Sequence, residues 1–272
     1  MYMLLLVLLG AIVLFTTFMV KPKKRIHRKL VSLGILLIVV GGSGIYESYQ
    51  NKGVSSGDNP TSVEKSKNST TSSSSDLANL DYQGTQEIEV NNNTPTFTES
   101  ELNVSKGPWQ SFADLDNLNR AIQADALLSK NLMPTAKREP LYVNPTGWHN
   151  KRVQGGWLYN RSHLIGYQLT GQNNNPKNLM TGTRSLNSPE MLKHENDIAY
   201  YLKQNPSNFI RYRVKPIYRG DELVARGVQM MAESMNSNGQ PDHSVSFNVY
   251  IFNVEKNVKI NYSDGTSVVN NQ

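Results

Sequence analysis

The chain has 272 residues, a formal net charge of +6, a mean hydropathy of −0.48 and no cysteine. The lack of cysteine excludes disulfides, thiolate metal sites and a thiol nucleophile. The charge is segregated. Residues 21–29 hold six Lys/Arg and no acid, residues 47–105 hold three Lys/Arg against nine Asp/Glu, and residues 106–272 hold nineteen against thirteen. That pattern argues against one uniform globule and makes the C-terminal region the basic part, suited to a polyanionic partner.

Met1 to Val20 is apolar apart from Thr16 and Thr17, and its twenty residues are about the length of a bilayer span. Leu30 to Tyr46 is a second, shorter apolar run. The basic residues lie between the two, and the positive-inside rule keeps such a loop in the cytoplasm. Residues 1–46 therefore read as a membrane anchor, a transmembrane helical hairpin, with everything after about residue 47 outside the cell. The competing reading is a signal peptide built from the second run. It lacks a clear small-x-small cleavage site, Gly41-Gly42-Ser43-Gly44 being a weak one. Residues 47–105 are rich in Ser, Thr, Asn and Gly and contain SKNSTTSSSSD. With few aromatics and no sustained periodicity they cannot offset chain entropy by burial, and they read as a disordered linker.

The third region, 106–272, has the signals of a folded domain. Ser111-x-x-Asp114 followed by Phe112, Leu115, Leu118, Ile122 and Ala126 at helical spacing predicts a helix over about 112–129. Leu141 to Val143 is a short strand candidate, and Pro145-Thr146-Gly147-Trp148 a turn. Trp157-Leu158-Tyr159 is an aromatic-apolar run that delivers His163. A polar Gly/Asn segment, Gly171 to Pro176, leads to Asn178, and nine residues later to Asn187. Ser188-Pro189 then has the form of an N-cap followed by proline in the first helical position, and the helix it opens runs to about Gln204. Phe209–Val214, Leu223–Met231 and Val245–Val254 are strand-like, the last with the alternation of a half-buried strand, and Ser234–His243 is loop-like. The fold class is α+β, a small antiparallel sheet with flanking helices.

The order histidine strand, loop, asparagine, helix lets a base and an oxygen ligand face each other. NRSH at 160–163, NPKN at 175–178 and TGTRSLN at 181–187 together resemble the DNA/RNA non-specific endonucleases of the His-Me finger (ββα-metal) superfamily, and within it the DNA-entry nuclease branch. The resemblance spans roughly Gly107 to Val254. It implies a ββα-metal finger on the sheet, cleavage of DNA and RNA with little base preference, and a 5′-phosphate product. It matches His163 to the general base, Asn187 to the metal ligand and Asn178 to the asparagine whose segment supports the histidine. Glu195 matches an acid acting through the water around the metal. These make His163, Glu195 and Asn178 the catalytic set. Asn160 and Ser162 depart from the family's usual DRGH, which puts a charge-based role at position 160 in doubt and leaves base and ligand untouched.

The residue types suit that chemistry. Imidazole is partly neutral at working pH and can take a proton in the transition state. An amide oxygen is a hard neutral ligand that leaves most of a Mg²⁺ shell to water and phosphate, and Mn²⁺ accepts the same donors. Zinc fails on ligand count, since no histidine lies at i+4 and no cysteine exists. Arg184, three residues before the ligand, is the foremost phosphate candidate, with Arg138 and Lys177 behind it. Arg161 reads either as a pairing within the finger or as a phosphate contact. Trp148 and Trp157 read as core or turn packing. The expected protein is a membrane-anchored extracellular nuclease acting on DNA and RNA. The alternatives are a catalytically silent nucleic-acid-binding surface receptor on the same fold and a stalked adhesion protein.

Overall fold

The computed structural model describes residues 74–270. The hairpin expected over residues 1–46 and the first part of the expected linker lie outside the described residues. Among those described, no helix is long and apolar enough to cross a membrane.

The domain is built on a six-stranded antiparallel sheet rather than a small one. Its strands are β1 (Glu87–Glu89), β2 (Trp109–Phe112), β3 (Ala124–Leu128), β8 (Phe209–Ile217), β9 (Gly227–Met235) and β10 (Pro241–Phe252), in the order β1-β10-β9-β8-β3-β2. The strand expected over 223–231 begins later and runs further. Met235 pairs with Pro241 across residues 236–240, so half of the loop expected over 234–243 belongs to the two strands. β8, β9 and β10 bury Ile210, Tyr212, Val214, Val228, Met230, Val249 and Ile251 in the main core.

The helix expected over 112–129 is instead the hairpin β2–β3. Asp116 breaks it: its Oδ1 accepts the backbone N–H groups of Leu118 and Arg120, both at 2.9 Å, and Asn119 adopts a left-handed φ of 60°. Ala124 to Leu128 then pair with Ile210 to Val214 of β8, a partner invisible to local periodicity. Leu141 to Val143 form no strand, while the turn at Pro145–Trp148 stands, with Gly147 at φ 66°.

Residues 74–105 also depart from the linker reading. Helix α1 (Ser74–Asn79) and β1 dock Leu77, Ala78 and Val90 against Ile217, Tyr250 and Phe252. Glu101 joins Asp125 in an ionic cluster with Arg211 and Arg213. Few apolar residues suffice here because they cover an existing sheet edge instead of building a core of their own.

The functional half lies beside this sheet. A short hairpin, β4 (Arg152–Val153) and β5 (Gly156–Trp157), leads into β6 (Tyr159–His163). Helix α2 (Tyr167–Thr170) and the asparagine segment connect β6 to β7 (Leu179–Thr183), which pairs with it antiparallel. A kinked helical segment, Leu186–Met191, precedes α3 (Leu192–Gln204). Ser188 there is extended (φ −152°, ψ 119°), as a residue preceding a helix should be. Asn253, fully buried, bolts the β6–β7 unit to the end of the main sheet. Its Oδ1 accepts from Thr183 N at 2.8 Å, and its Nδ2 donates to the carbonyls of Thr181 and Ala225 at 3.1 and 3.0 Å. The expected strand–loop–asparagine–helix order is thus present.

Candidate active site

β6 carries its histidine inward. Tyr159, Ser162 and His163 are buried, while Asn160 and Arg161 are partly exposed. His163 closes the strand at the floor of a cleft of about 780 Å³ that also takes in Asn160, Arg161, Asn187, Glu195 and Arg138. His163 Nε2 lies 2.8 Å from the carbonyl of Asn173. A carbonyl can only accept, so Nε2 carries the proton and the neutral ring keeps its lone pair on Nδ1. Nδ1 has no hydrogen-bond partner among the described residues. Burial holds the imidazole pKa below its usual value. The Asn173 contact pulls upward, and the charge of Arg138 adds to the lowering.

Glu195 enters from α3. It shares one helical face with Ile198, Ala199 and Leu202, all buried, and that i, i+3, i+4, i+7 stripe presses the carboxyl inward with the apolar side chains. Desolvation pushes its pKa up to about 7, against the opposing pull of Gln168, the Gly166 backbone and Arg138. The carboxylate sits where a Cβ on Gly166 would be, so only glycine fits there without displacing it.

Asn187 lies on the kinked segment, half-buried in the cleft, and its amide makes no hydrogen bond among the described residues. Asn160 is in the same state. An unspent neutral amide oxygen, with a carboxyl nearby in the same cleft, fits a hard cation that keeps most of its water. Among the described residues no group of three or more His, Cys, Asp or Glu converges on a cation, so a cage of charged ligands is not the arrangement present.

Arg161 forms the pairing within the finger and remains at the cleft. Its Nε and Nη2 donate to Asn144 Oδ1 at 3.1 and 2.6 Å, its guanidinium lies 4.6 Å from the centre of the Trp148 ring, and it still lines the cleft. Arg138 also lines it, 5.8 Å from the centre of the Tyr167 ring.

Three expected site residues lie elsewhere. Asn178 is fully buried and outside the cleft lining. Its Oδ1 accepts from Ile165 N at 2.9 Å, and its Nδ2 donates to Ile165 O at 3.0 Å. It fixes the chain two residues after His163 and touches nothing that could react. Arg184 turns away from the cleft, with Nη2 donating to Glu255 Oε1 at 3.0 Å and to Gln154 O at 3.3 Å. Lys177 pairs with the exposed Asp114 at 2.6 Å. Both departures have one cause: an acid distant in sequence arrives in the fold as a partner.

Sequence reasoning passed over Asn150, Asn173 and Gln168. Asn150 clamps both backbone groups of Tyr159 at 2.9 and 3.0 Å. Asn173 ties its side chain to the Glu139 carbonyl at 3.1 Å while its own carbonyl holds His163. The run Asn173-Asn174-Asn175 was the available signal, because asparagine concentrates where side chains must replace backbone partners. His194 bonds Glu87 Oε2 at 2.7 Å and is not a cleft residue.

Comparison with known proteins agrees with this fold. The structure of NucA from Streptococcus agalactiae with magnesium ion bound superposes with a TM-score of 0.60 at 25% identity, over 71% of this chain and 92% of that one. The Sda1 nuclease with bound zinc ion shares the fold, with a TM-score of 0.52 at 24% identity over 59% and 80% of the two chains. A deoxyribonuclease from Streptococcus dysgalactiae subsp. equisimilis is 31% identical over 112 residues, 40% of this chain and 32% of that protein. The matched part is thus about a third of the length of that curated relative. Residues 102–236, just under half of the chain, match the family described as DNA/RNA non-specific endonuclease.

Proposed function

We propose that the chain is an endonuclease that hydrolyses phosphodiester bonds of DNA, and of RNA with it, without sequence preference. His163 is its general base, and a divalent cation, Mg²⁺ foremost with Mn²⁺ as a competitor, is held by Asn187. The observation that carries the reading is the tautomer of His163: a buried imidazole with Nε2 committed to a carbonyl and Nδ1 bare in an open cleft. Such a ring takes a proton from a water placed on the Nδ1 side, and its lowered pKa keeps it neutral at pH 7. A cation on the Asn187 amide supplies charge for the phosphate oxygens and the departing oxygen. Arg161 and Arg138, both along the cleft, add positive charge for the strand's phosphates. Glu195, at the cleft and close to neutrality, binds and orients water.

The magnesium-bound NucA neighbour supports the choice of metal, and the deoxyribonuclease relative supports DNA. The two apolar runs and the basic loop between them support a membrane anchor with the nuclease outside the cell. On intact cells, added protease should then remove the nuclease domain and spare the 21–29 loop. The test of the chemistry is plasmid degradation by the full-length chain with Mg²⁺ and with excess EDTA. His163→Ala should lose about 10²–10⁴-fold in rate while still binding DNA. Imidazole should restore part of the rate of His163→Gly, following its neutral form, and do nothing for Asn187→Ala. Cleavage in EDTA, or rescue of both variants alike, contradicts the assignment.

A further inference from the structure

The hairpin β4–β5 stands ahead of the histidine strand and is built as a rigid projection. Arg152 faces Trp157 and Val153 faces Gly156 across two residue pairs. The turn needs its glycines, with Gly155 at φ 90° and Gly156 at φ 137°. They also admit the Arg184 guanidinium, which would lie 2.7 and 2.9 Å from a Cβ on Gly155. Anchored on Glu255, Arg184 braces the turn from below, and the backbone bond from Leu158 N to Lys151 O at 2.9 Å closes the base. What this brace holds up is Trp157, which is 50% exposed although the next two residues, Leu158 and Tyr159, are buried completely. The ring does not follow them inward. Instead it lines the cleft, with the Arg152 guanidinium 4.8 Å from its centre.

The surroundings select a polyanion. The fifty residues 140–189 hold no Asp or Glu, and of their basic side chains Lys151, Arg152 and Arg161 form no ion pair among the described residues, whereas Asp114 and Glu255 take Lys177 and Arg184. A rigid exposed ring backed by a cation, in a stretch without acids and opening into a phosphodiester-cleaving cleft, combines the two elements that hold single strands: a π-face for a base and a charge for its phosphate. From Trp157 to His163 is six residues, about 20 Å of extended chain. The ring therefore meets a nucleotide flanking the scissile bond, not the one being cut.

We propose that the Arg152–Trp157 hairpin is a base-stacking platform: Trp157 receives an unstacked base of the bound strand and Arg152 the phosphate beside it, so that the cleft prefers single-stranded nucleic acid at this end. The inference rests on the nuclease reading and specifies the form of its substrate. Duplex DNA engages the platform only where a base can leave the stack.

The experiment uses the full-length chain. Cleavage kinetics are measured on an oligonucleotide as a single strand and as a duplex. Binding of the single strand is followed by tryptophan fluorescence in the His163→Ala background with EDTA. For Trp157→Ala, KM for the single strand should rise about tenfold or more, the loss of one base stack, with much less change on duplex and the effect falling on KM rather than kcat. Trp157→Phe keeps a ring, so it should retain the KM of the wild type but lose the part of the single-strand quenching that Trp157 contributes, Trp148 being the other tryptophan of the cleft. Arg152→Ala should flatten the slope of log Kd against log salt by about one. An unchanged KM in Trp157→Ala, an equal rise on both substrates, or quenching undiminished in Trp157→Phe would overturn the platform. The outcomes separate the two levels. Undiminished cleavage by His163→Ala and Asn187→Ala removes the nuclease assignment. Dead active-site variants alongside a Trp157→Ala enzyme that behaves as wild type remove only the platform.

Discussion

Asn178→Ala separates support from chemistry at the residue the motif makes most conspicuous. The side chain spends both ends of its amide on one peptide unit, accepting from Ile165 N and donating to Ile165 O, with no exposed surface. Truncation strands both backbone groups in the interior. Each buried unpaired group costs roughly 1–3 kcal/mol, so the loss should be about 2–6 kcal/mol. For a domain of this size each kcal/mol moves Tm by about 2–4 °C, which places the expected drop at roughly 4–24 °C. The backbone bond from Leu164 N to Asn178 O at 2.9 Å survives the substitution, so the strand end carrying His163 keeps one tether. Thermal unfolding and cleavage should be measured on the same preparation, the second well below the lowered Tm. Cleavage there should fall by less than the 10²–10⁴-fold that removing a base costs. Asn178→Asp should be no better, because a carboxylate keeps the bond from Ile165 N and turns a lone pair toward the Ile165 carbonyl. An unchanged Tm together with a loss of more than about 10²-fold in kcat would refute the structural account and return Asn178 to the chemistry.

Asn187→Ala should nearly abolish cleavage with little change in Tm, because its amide holds nothing else, and Asn187→Asp should keep part of the activity since a carboxylate also binds Mg²⁺; a titration of activity against metal checks both. Gly166→Ala isolates Glu195: the backbone at 166 (φ −58°, ψ 146°) suits alanine, so the new methyl acts only by displacing the carboxylate. Cleavage should fall about 10²-fold, the scale of a 1 Å misplacement, for a packing cost of roughly 1–3 kcal/mol. Glu195→Gln should change how stability depends on pH. The folded carboxyl keeps its proton up to about 7, whereas the unfolded one releases it near 4.5, so the native state binds more protons between those values and stability declines as pH rises through that window. The decline should total roughly 3 kcal/mol in EDTA and be absent from Glu195→Gln; identical slopes in denaturant titrations of the two proteins would exclude it.

The finger was legible and much of the sheet was not, for reasons of range. His163, Asn187 and α3 are specified within some forty residues. The strand alternation, the Ser-Pro helix start and the apolar stripe of α3 act locally and agree with one another. The hairpin β2–β3 is set by partners that arrive late, since Ala126 pairs with Tyr212 and Arg211 reaches across to Asp125. Read alone, its apolar residues fall at intervals of three and four and imitate a helix. The same blindness placed Arg184 and Lys177 on the substrate. Proximity to the motif made them candidates, and Glu255 and Asp114 took them as ion-pair partners. Trp157 failed in the opposite sense. A large aromatic in an apolar run belongs in the interior by composition, and only the brace beneath Gly155 and Gly156 reveals that it is held out.

Asparagine gives the sharpest criterion for telling function from support in this domain. The finger and its flanks contain many, and sequence offers no way to rank them. The fold ranks them by what their amides already hold. Asn178 and Asn150 each clamp a backbone peptide or residue, Asn253 ties β7 to the main sheet, Asn144 fixes Arg161, and Asn173 and Asn174 pin the loop at Glu139 and Pro140. Each is committed, and freeing any of them for a ligand would strand a partner. Asn160 and Asn187 alone among these line the cleft with amides that bind nothing in the described residues. An unspent polar group facing a cleft costs the fold little, because water serves it there, and it remains free to change partners when substrate or cation arrives. By that criterion Asn160, where the related motif carries an aspartate, keeps a place at the reacting end of the cleft without its charge. The positive charge of Arg161 beside it then goes uncompensated by a neighbour in sequence.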